Sequence, residues 1–315
     1  MRPVVRVGLG LLTAATMVAC KRPPPSASAD GGPAAPPPNV VSTSAMSVTP
    51  VPRSSVEKLV NPDALPAYKG PVGSIEGTVF VTGPEAPDAT DPKTGQPFTY
   101  RKCPAAKATR AKSFRTGPSD AEGRRPLVGA VLAVTGYTNA FVPEQEEAKH
   151  VDVADCADFP RTITMTFGQR LEIANKTKDV FAPQFDAPGQ GALMVAPPGA
   201  DAVKLYPPHP GFFQLVERLG DDAIAADVYV LLHPLHTTSG VDGRYRIDHV
   251  PVGALKIGVR LAAVGELVVD VDIKDGVVTR RDLVLPYVPR PKEFGTMSDA
   301  GTSRTADAGA NRVIH

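Results

Sequence analysis

The chain has 315 residues, enough for one or two domains, with 34 Lys and Arg against 33 Asp and Glu and a formal net charge of +1 at pH 7. That balance argues against a nucleic-acid partner and against purely electrostatic attraction to a membrane. Aromatic residues make up 6% of the chain and Trp is absent, which argues against a stacking platform for bases or sugars.

Arg2 and Arg6 form a short positive region, and an apolar run from Val7 to Ala19 follows. The run is too short and wrongly flanked for a membrane-spanning helix and reads as an export signal. It ends in Thr16-Met17-Val18-Ala19-Cys20. This pentapeptide resembles the lipobox of bacterial lipoproteins, whose cysteine is acylated and becomes the new N-terminus. Met17 stands where Leu is usual. The resemblance implies lipid attachment at Cys20, loss of residues 1–20 and contact with a membrane through the anchor. The alternative is an ordinary signal peptide cut nearby, with Cys20 incidental. Lys21 differs from the Asp that favours inner-membrane retention in some bacteria. The expected location is therefore the cell envelope, anchored to the outer membrane and facing the periplasm or the surface.

If Cys20 carries lipid, Cys103 and Cys156 remain as a pair in an oxidising compartment, where a disulfide is expected. Two free buried thiols are the alternative. Residues 21–73 contain Pro23-Pro24-Pro25 and Pro36-Pro37-Pro38 among Ser, Ala and Gly. Such a segment buries too little to offset its ordering entropy, and a disordered linker is predicted. Residues 289–315 are predicted to be a disordered tail on the same grounds.

Between these ends the pattern is that of short strands. Ile75 to Val81 alternates and stops at Gly83-Pro84, and Leu127 to Val134 is a continuous apolar run of strand length. Thr162 to Phe167 alternates, turns at Gly168-Gln169, and resumes with Leu171 and Ile173 facing inward. Further strands are predicted at Phe212–Glu217, Ala226–Leu232, Arg244–Asp248, Ala254–Leu261, Leu267–Ile273 and Val277–Leu285, with a hairpin turn at Lys274-Asp275-Gly276. The fold class is all-β, and strands punctuated by Gly and Pro point to sandwiches.

Two resemblances refine this. Asp242-Gly243, the alternating Arg244-Tyr245-Arg246-Ile247, the Pro251-Val252-Gly253 reversal and the strand from Ala254 resemble the carboxypeptidase regulatory-like domain, a transthyretin-like sandwich. Ile75 to Val79 is similar to that domain's first strand, separated from the rest by a long insertion. Val79 and Val81 have no partner nearby in sequence, so this strand is expected to pack beside those from Tyr245 to Leu285. The insertion resembles bacterial cupredoxin-like proteins in Cys156-Ala157-Asp158-Phe159-Pro160, in Thr162–Phe167 with its Gly168 turn, in Leu171-Glu172-Ile173-Ala174-Asn175, and in His233-Pro234. The organisation predicted is 1–20 signal, 21–73 linker, 74–126 first regulatory-like strand plus long loop, 127–237 degenerate cupredoxin-like sandwich, 238–288 regulatory-like sandwich and 289–315 tail.

A copper site of the resembled family needs two imidazoles, a thiolate and usually an axial thioether. Its first histidine should follow Asn175, but Lys176 to Ala182 supplies none and Phe181 stands near the expected position. The Cys-x-x-His-x-x-Met cluster should precede Ala226, where Arg218, Asp221 and Ile224 stand. The expectation is a retained fold with a lost metal site: no metal, no cofactor and no catalytic residue. His233 and His236, with His209 as a third ligand, are the candidates for a relocated metal site; the alternative is two histidines at a strand exit. Asp221-Asp222 and the Glu144-Glu146-Glu147 cluster read as solvated loop charge. Pro207-Pro208-His209-Pro210 reads as a stiff loop. The function expected is a non-catalytic binding or structural module with an envelope protein or polysaccharide partner. The alternatives are a copper electron carrier with a relocated site and a hydrolase, for which no catalytic constellation stands in the sequence.

Overall fold

The computed structural model describes residues 49–91, 95–137, 139, 141–154, 156–186, 193–220 and 222–289. Cys20, the signal segment and the tail from 290 lie outside the described residues. In chain order the elements begin with α1 (Arg53–Val60), β1 (Val72–Thr82), α2 (Ala106–Arg110), β2 (Arg115–Thr116), β3 (Arg125–Val128), β4 (Val131–Thr135) and β5 (Ala148–Val153). They continue with β6 (Thr162–Thr166), β7 (Arg170–Asn175), β8 (Pro183–Phe185), β9 (Val203–Leu205), β10 (Gly211–Glu217) and β11 (Ala226–Leu231). The last are β12 (His236–Thr238), β13 (Arg244–Pro251), β14 (Gly253–Leu261), β15 (Gly265–Ile273), β16 (Val278–Arg280) and β17 (Leu283–Pro286).

These strands form two β-sandwiches. In one, the sheet β6-β11-β10-β8 faces the sheet β5-β7-β9 across a core that includes Ile163, Met165, Leu171, Ile173, Phe185, Leu215 and Val228. Alternation places those side chains: β7 buries every second residue, and Gly168, at φ 104°, makes the tight turn from β6 that lets it do so. In the other, β1 is central. It runs antiparallel to β13 through Ile75↔Ile247 and Gly77↔Tyr245 and parallel to β17 through Val79↔Leu283. The facing sheet is β12-β4-β14-β15, and the core includes Ile75, Val79, Val81, Leu132, Ile247, Ile257 and Leu285. The first strand thus finds the distant partners that its alternating face requires.

Four features depart from the sequence expectations. Leu127 to Val134 is not one strand. Gly129, at φ 74°, breaks it between β3 and β4, and Leu127, Leu132 and Val134 enter the core around β1 rather than that of β6. Leu235 does the same, so the range 127–237 does not form one sandwich. The chain enters the β5–β11 sandwich after β4 and leaves it before β12. An apolar run of strand length carries no mark of which core it will enter.

The Lys274-Asp275-Gly276 turn forms, but not as a hairpin. Gly276 N–H donates to Val72 O at 2.9 Å, and β16 then pairs in parallel with β1. Next, the predicted linker 21–73 ends in structure: α1 lies within it, and Val51, Val56 and Val60 pack against the core of the β5–β11 sandwich. Two valines four residues apart form a stripe too short to stand out among prolines. Finally, the long loop before 127 holds α2, β2 and β3.

Candidate functional site

Asn175, at the end of β7, shapes the loop where the first copper imidazole was sought. Its buried Nδ2 donates to Asp179 O and Ala196 O, each at 2.7 Å, while Oδ1 accepts from Thr177 N–H at 3.0 Å. The loop delivers Phe181, 1% exposed, to the core. Over that ring, 5.1 Å from its centroid, sits the Lys102 ammonium. Its Nζ donates to Val180 O at 2.8 Å and lies 3.4 Å from Glu217 Oε1. The Glu217 side chain is fully buried and also accepts the Ala182 N–H at 2.9 Å.

On the opposite side, Arg218 donates to Gln184 Oε1 at 3.0 Å and to Asp186 at 2.9 Å, and Ile224 is fully buried. Asp222 accepts the Thr99 N–H at 2.9 Å; Asp221 lies outside the described residues. Among the described residues no thiolate is at hand either, because Cys103 and Cys156 are joined in a disulfide with Cα atoms 6.0 Å apart. A locus that already holds an ammonium, its carboxylate and a phenyl ring does not fit a copper ion.

The histidines do not supply a substitute. Among the described residues no group of three His, Cys, Asp or Glu side chains could hold a metal. His209 stacks 4.9 Å from Phe213 and its Nδ1 lies 2.8 Å from Pro210 O. His233 packs edge-on to Tyr137 at 5.9 Å. His236 Nε2 is 3.2 Å from Thr166 Oγ1, whose hydroxyl donates to Glu144 Oε2 at 2.5 Å. With the Thr166 hydroxyl donating to the carboxylate, its oxygen accepts from Nε2–H, and the neutral His236 carries its proton on Nε2. Burial, aided by the nearby charges of His233 and Lys149, pushes its pKa down to about 3.

Glu146 O and Glu147 Oε2 are likewise taken, by Gln169 Nε2 at 3.0 Å and Arg170 at 3.2 Å. Glu144 and Thr166 were not sought in sequence as partners. Thr162, Thr164 and Thr166 alternate as a solvated face would, yet all three are buried, because β12 of the other sandwich packs against β6.

Where the sandwiches meet lies a cleft of about 350 Å³. Its floor is the outward face of β6, β10 and β11, including Thr162, Gln214, Val216 and Asp227. Phe98, Tyr100, Arg110 and Phe114 come from the segment before β2, Leu261 ends β14, and Ala263 lies in the turn to β15. The guanidinium groups at its edge are mostly committed. Arg110 donates to Ala225 O at 2.7 Å and Phe159 O at 2.9 Å, and Arg161 to Lys112 O at 2.7 Å and Ser113 O at 2.9 Å. Burial lowers the Arg161 pKa and raises that of Asp227, which the Arg161 charge opposes.

No family model and no curated protein matches the chain. Solved structures of amicyanin are similar to part of it. A proline-to-alanine mutant in the oxidised state is 17% identical over 27% of this chain and 82% of its own, with a TM-score of 0.23. A methionine-to-alanine mutant with Cu(I) is 18% identical over 28% and 85%, and a reduced proline-to-phenylalanine mutant is 15% identical over 31% and 98%, both again at 0.23. The two-sandwich architecture rests on the strand pairings themselves.

Proposed function

We propose that this is a lipid-anchored, non-catalytic binding protein of the cell envelope. In this reading a cupredoxin-like sandwich has exchanged its metal locus for an internal ion pair. It is carried on a carboxypeptidase regulatory-like sandwich, and the cleft at their junction takes the ligand. The observation that carries the proposal is the Lys102–Glu217 pair over Phe181: a fixed ammonium stands where a copper cation would need donors. The commitment of Glu144, Thr166 and His236 to one another supports a structural role for the polar groups at the junction. Junctions between sandwiches are also a common place for ligand pockets.

Titration of the purified apo protein with Cu(II), followed in the visible, tests the reading. The expected outcome is no intense band near about 600 nm, where a thiolate-bound trigonal copper absorbs. Such a band, lost in Cys156→Ser, would make the protein a copper electron carrier instead.

A further inference from the structure

Two charged groups in the junction cleft stand apart from the rest. Arg115 and Asp227 both line it, yet among the described residues neither side chain makes a hydrogen bond or an ion pair, with each other or with any third group. Their neighbours are spent: Arg110 and Arg161 on backbone carbonyls, Asp186 on Arg218, Glu217 on Lys102 and Asp222 on Thr99. Backbone register holds the two in place, Arg115 beside Val128 and Asp227 beside Thr162. Both are half-buried, so each has given up part of its hydration without gaining a hydrogen-bond partner, although the Arg161 charge acts on Asp227 from a distance.

We propose that the cleft binds a zwitterionic amine–carboxylate, the chemistry shared by a free amino acid and a short peptide, with Arg115 on the carboxylate and Asp227 on the ammonium. The inference rests on the binding-protein reading above and names its ligand class. A ligand of single charge would give a hydrogen-bond partner to one group and leave the other with none among the described residues, which is costly in a half-buried site. The planar guanidinium of Arg115 suits a carboxylate, to which it can donate twice. Phe98, Phe114 and Leu261 supply apolar wall for a side chain, and about 350 Å³ falls at the small end of the range for ligand pockets.

Calorimetric titration of the full chain in detergent with leucine, Leu-Leu and Leu-Leu-Leu tests this. Saturable binding by leucine alone assigns a free amino acid, and binding by the peptides assigns a peptide. The ligand that binds is expected to lose about tenfold or more in affinity when N-acetylated, and similarly when its carboxylate is amidated. Asp227→Asn should weaken the free ligand but not the N-acetylated one. Arg115→Gln should weaken the free ligand but not the amide. Neither side chain holds a hydrogen bond or close ion pair among the described residues, and Arg161 stays anchored on two carbonyls, so both variants should keep the parent circular dichroism. Absence of saturable heat from all three ligands, or binding unmoved by capping, would overturn the assignment. With no copper band the binding-protein reading would survive that result, whereas a copper band would remove the reading itself.

Discussion

Lys102 and Glu217 hold each other in place inside the protein, and neither tolerates the loss of the other. The Glu217 side chain is fully buried and that of Lys102 is 22% exposed. Removing one partner of such a pair leaves a charge without compensation, at a cost of about 3–5 kcal/mol. Lys102→Met should therefore destabilise the protein by roughly 3 kcal/mol in urea unfolding, near the low end of that range because the ammonium keeps some solvent. Lys102→Met combined with Glu217→Leu should recover most of that loss, and a double-mutant cycle measures the coupling. A second residue gives a pH dependence. Folding moves the His236 pKa from its ordinary 6.5 to about 3. Below pH 6.5 the unfolded chain takes up a proton that the folded protein refuses. Stability should thus fall as pH drops from 6.5 towards 3, by up to about 1.4 kcal/mol per pH unit from this group. His236→Gln keeps a donor for Thr166 and should flatten that slope, read from urea midpoints at pH 7 and pH 4.

Among the elements, β1 carries the most. It has strands on both sides along much of its length, and it joins sheet segments that are otherwise far apart in sequence. Gly77 sits where the chain steps from β16 to β17: a Cβ there would lie 2.0 Å from Arg281 O. That contact is with backbone, which cannot swing aside as a flexible side chain would. Gly77→Ala should destabilise by about 2 kcal/mol or more, within the range for overpacked core sites. Thr78→Ala next to it removes no core contact and serves as the control. Alternation made β1, β7, β10 and β11 legible, because one more deeply buried face imposes a period of two; β6 alternates in residue type although both its faces are buried. β8, β9 and β12 were not legible. Each has three residues, shorter than any period that can be recognised.

At the scale of the whole molecule, the disulfide anchors the segment that carries Lys102 over Phe181. Cys103 adjoins Lys102, and Cys156 lies 53 residues on, between β5 and β6. Closing a loop of that length contributes about 4 kcal/mol in the chain-entropy account, with 2–4 kcal/mol typical. Replacing both cysteines by Ser should lower stability by roughly that typical amount, measured against the parent in the absence of reductant. The β5–β11 sandwich enters the chain between β4 and β12 and meets the other sandwich through Thr166, His236, Tyr137 and His233.

Taken alone, the sequence determined the all-β class, the strand cores that alternate, which two cysteines could pair, and the lack of His, Cys and Met between Lys176 and Ala182 and between Arg218 and Ala225. These are local matters: a period of two, a residue type present or missing, and a count of thiols. Tertiary structure alone decided that Leu127 to Val134 belongs with β1, that Thr162, Thr164 and Thr166 are buried, and that Lys102 reaches Glu217 across 115 residues. It also decided that Arg115 and Asp227 share a cleft. Each of these depends on which surface packs on which, and a one-dimensional pattern records that a face is apolar or charged without recording what will lie against it.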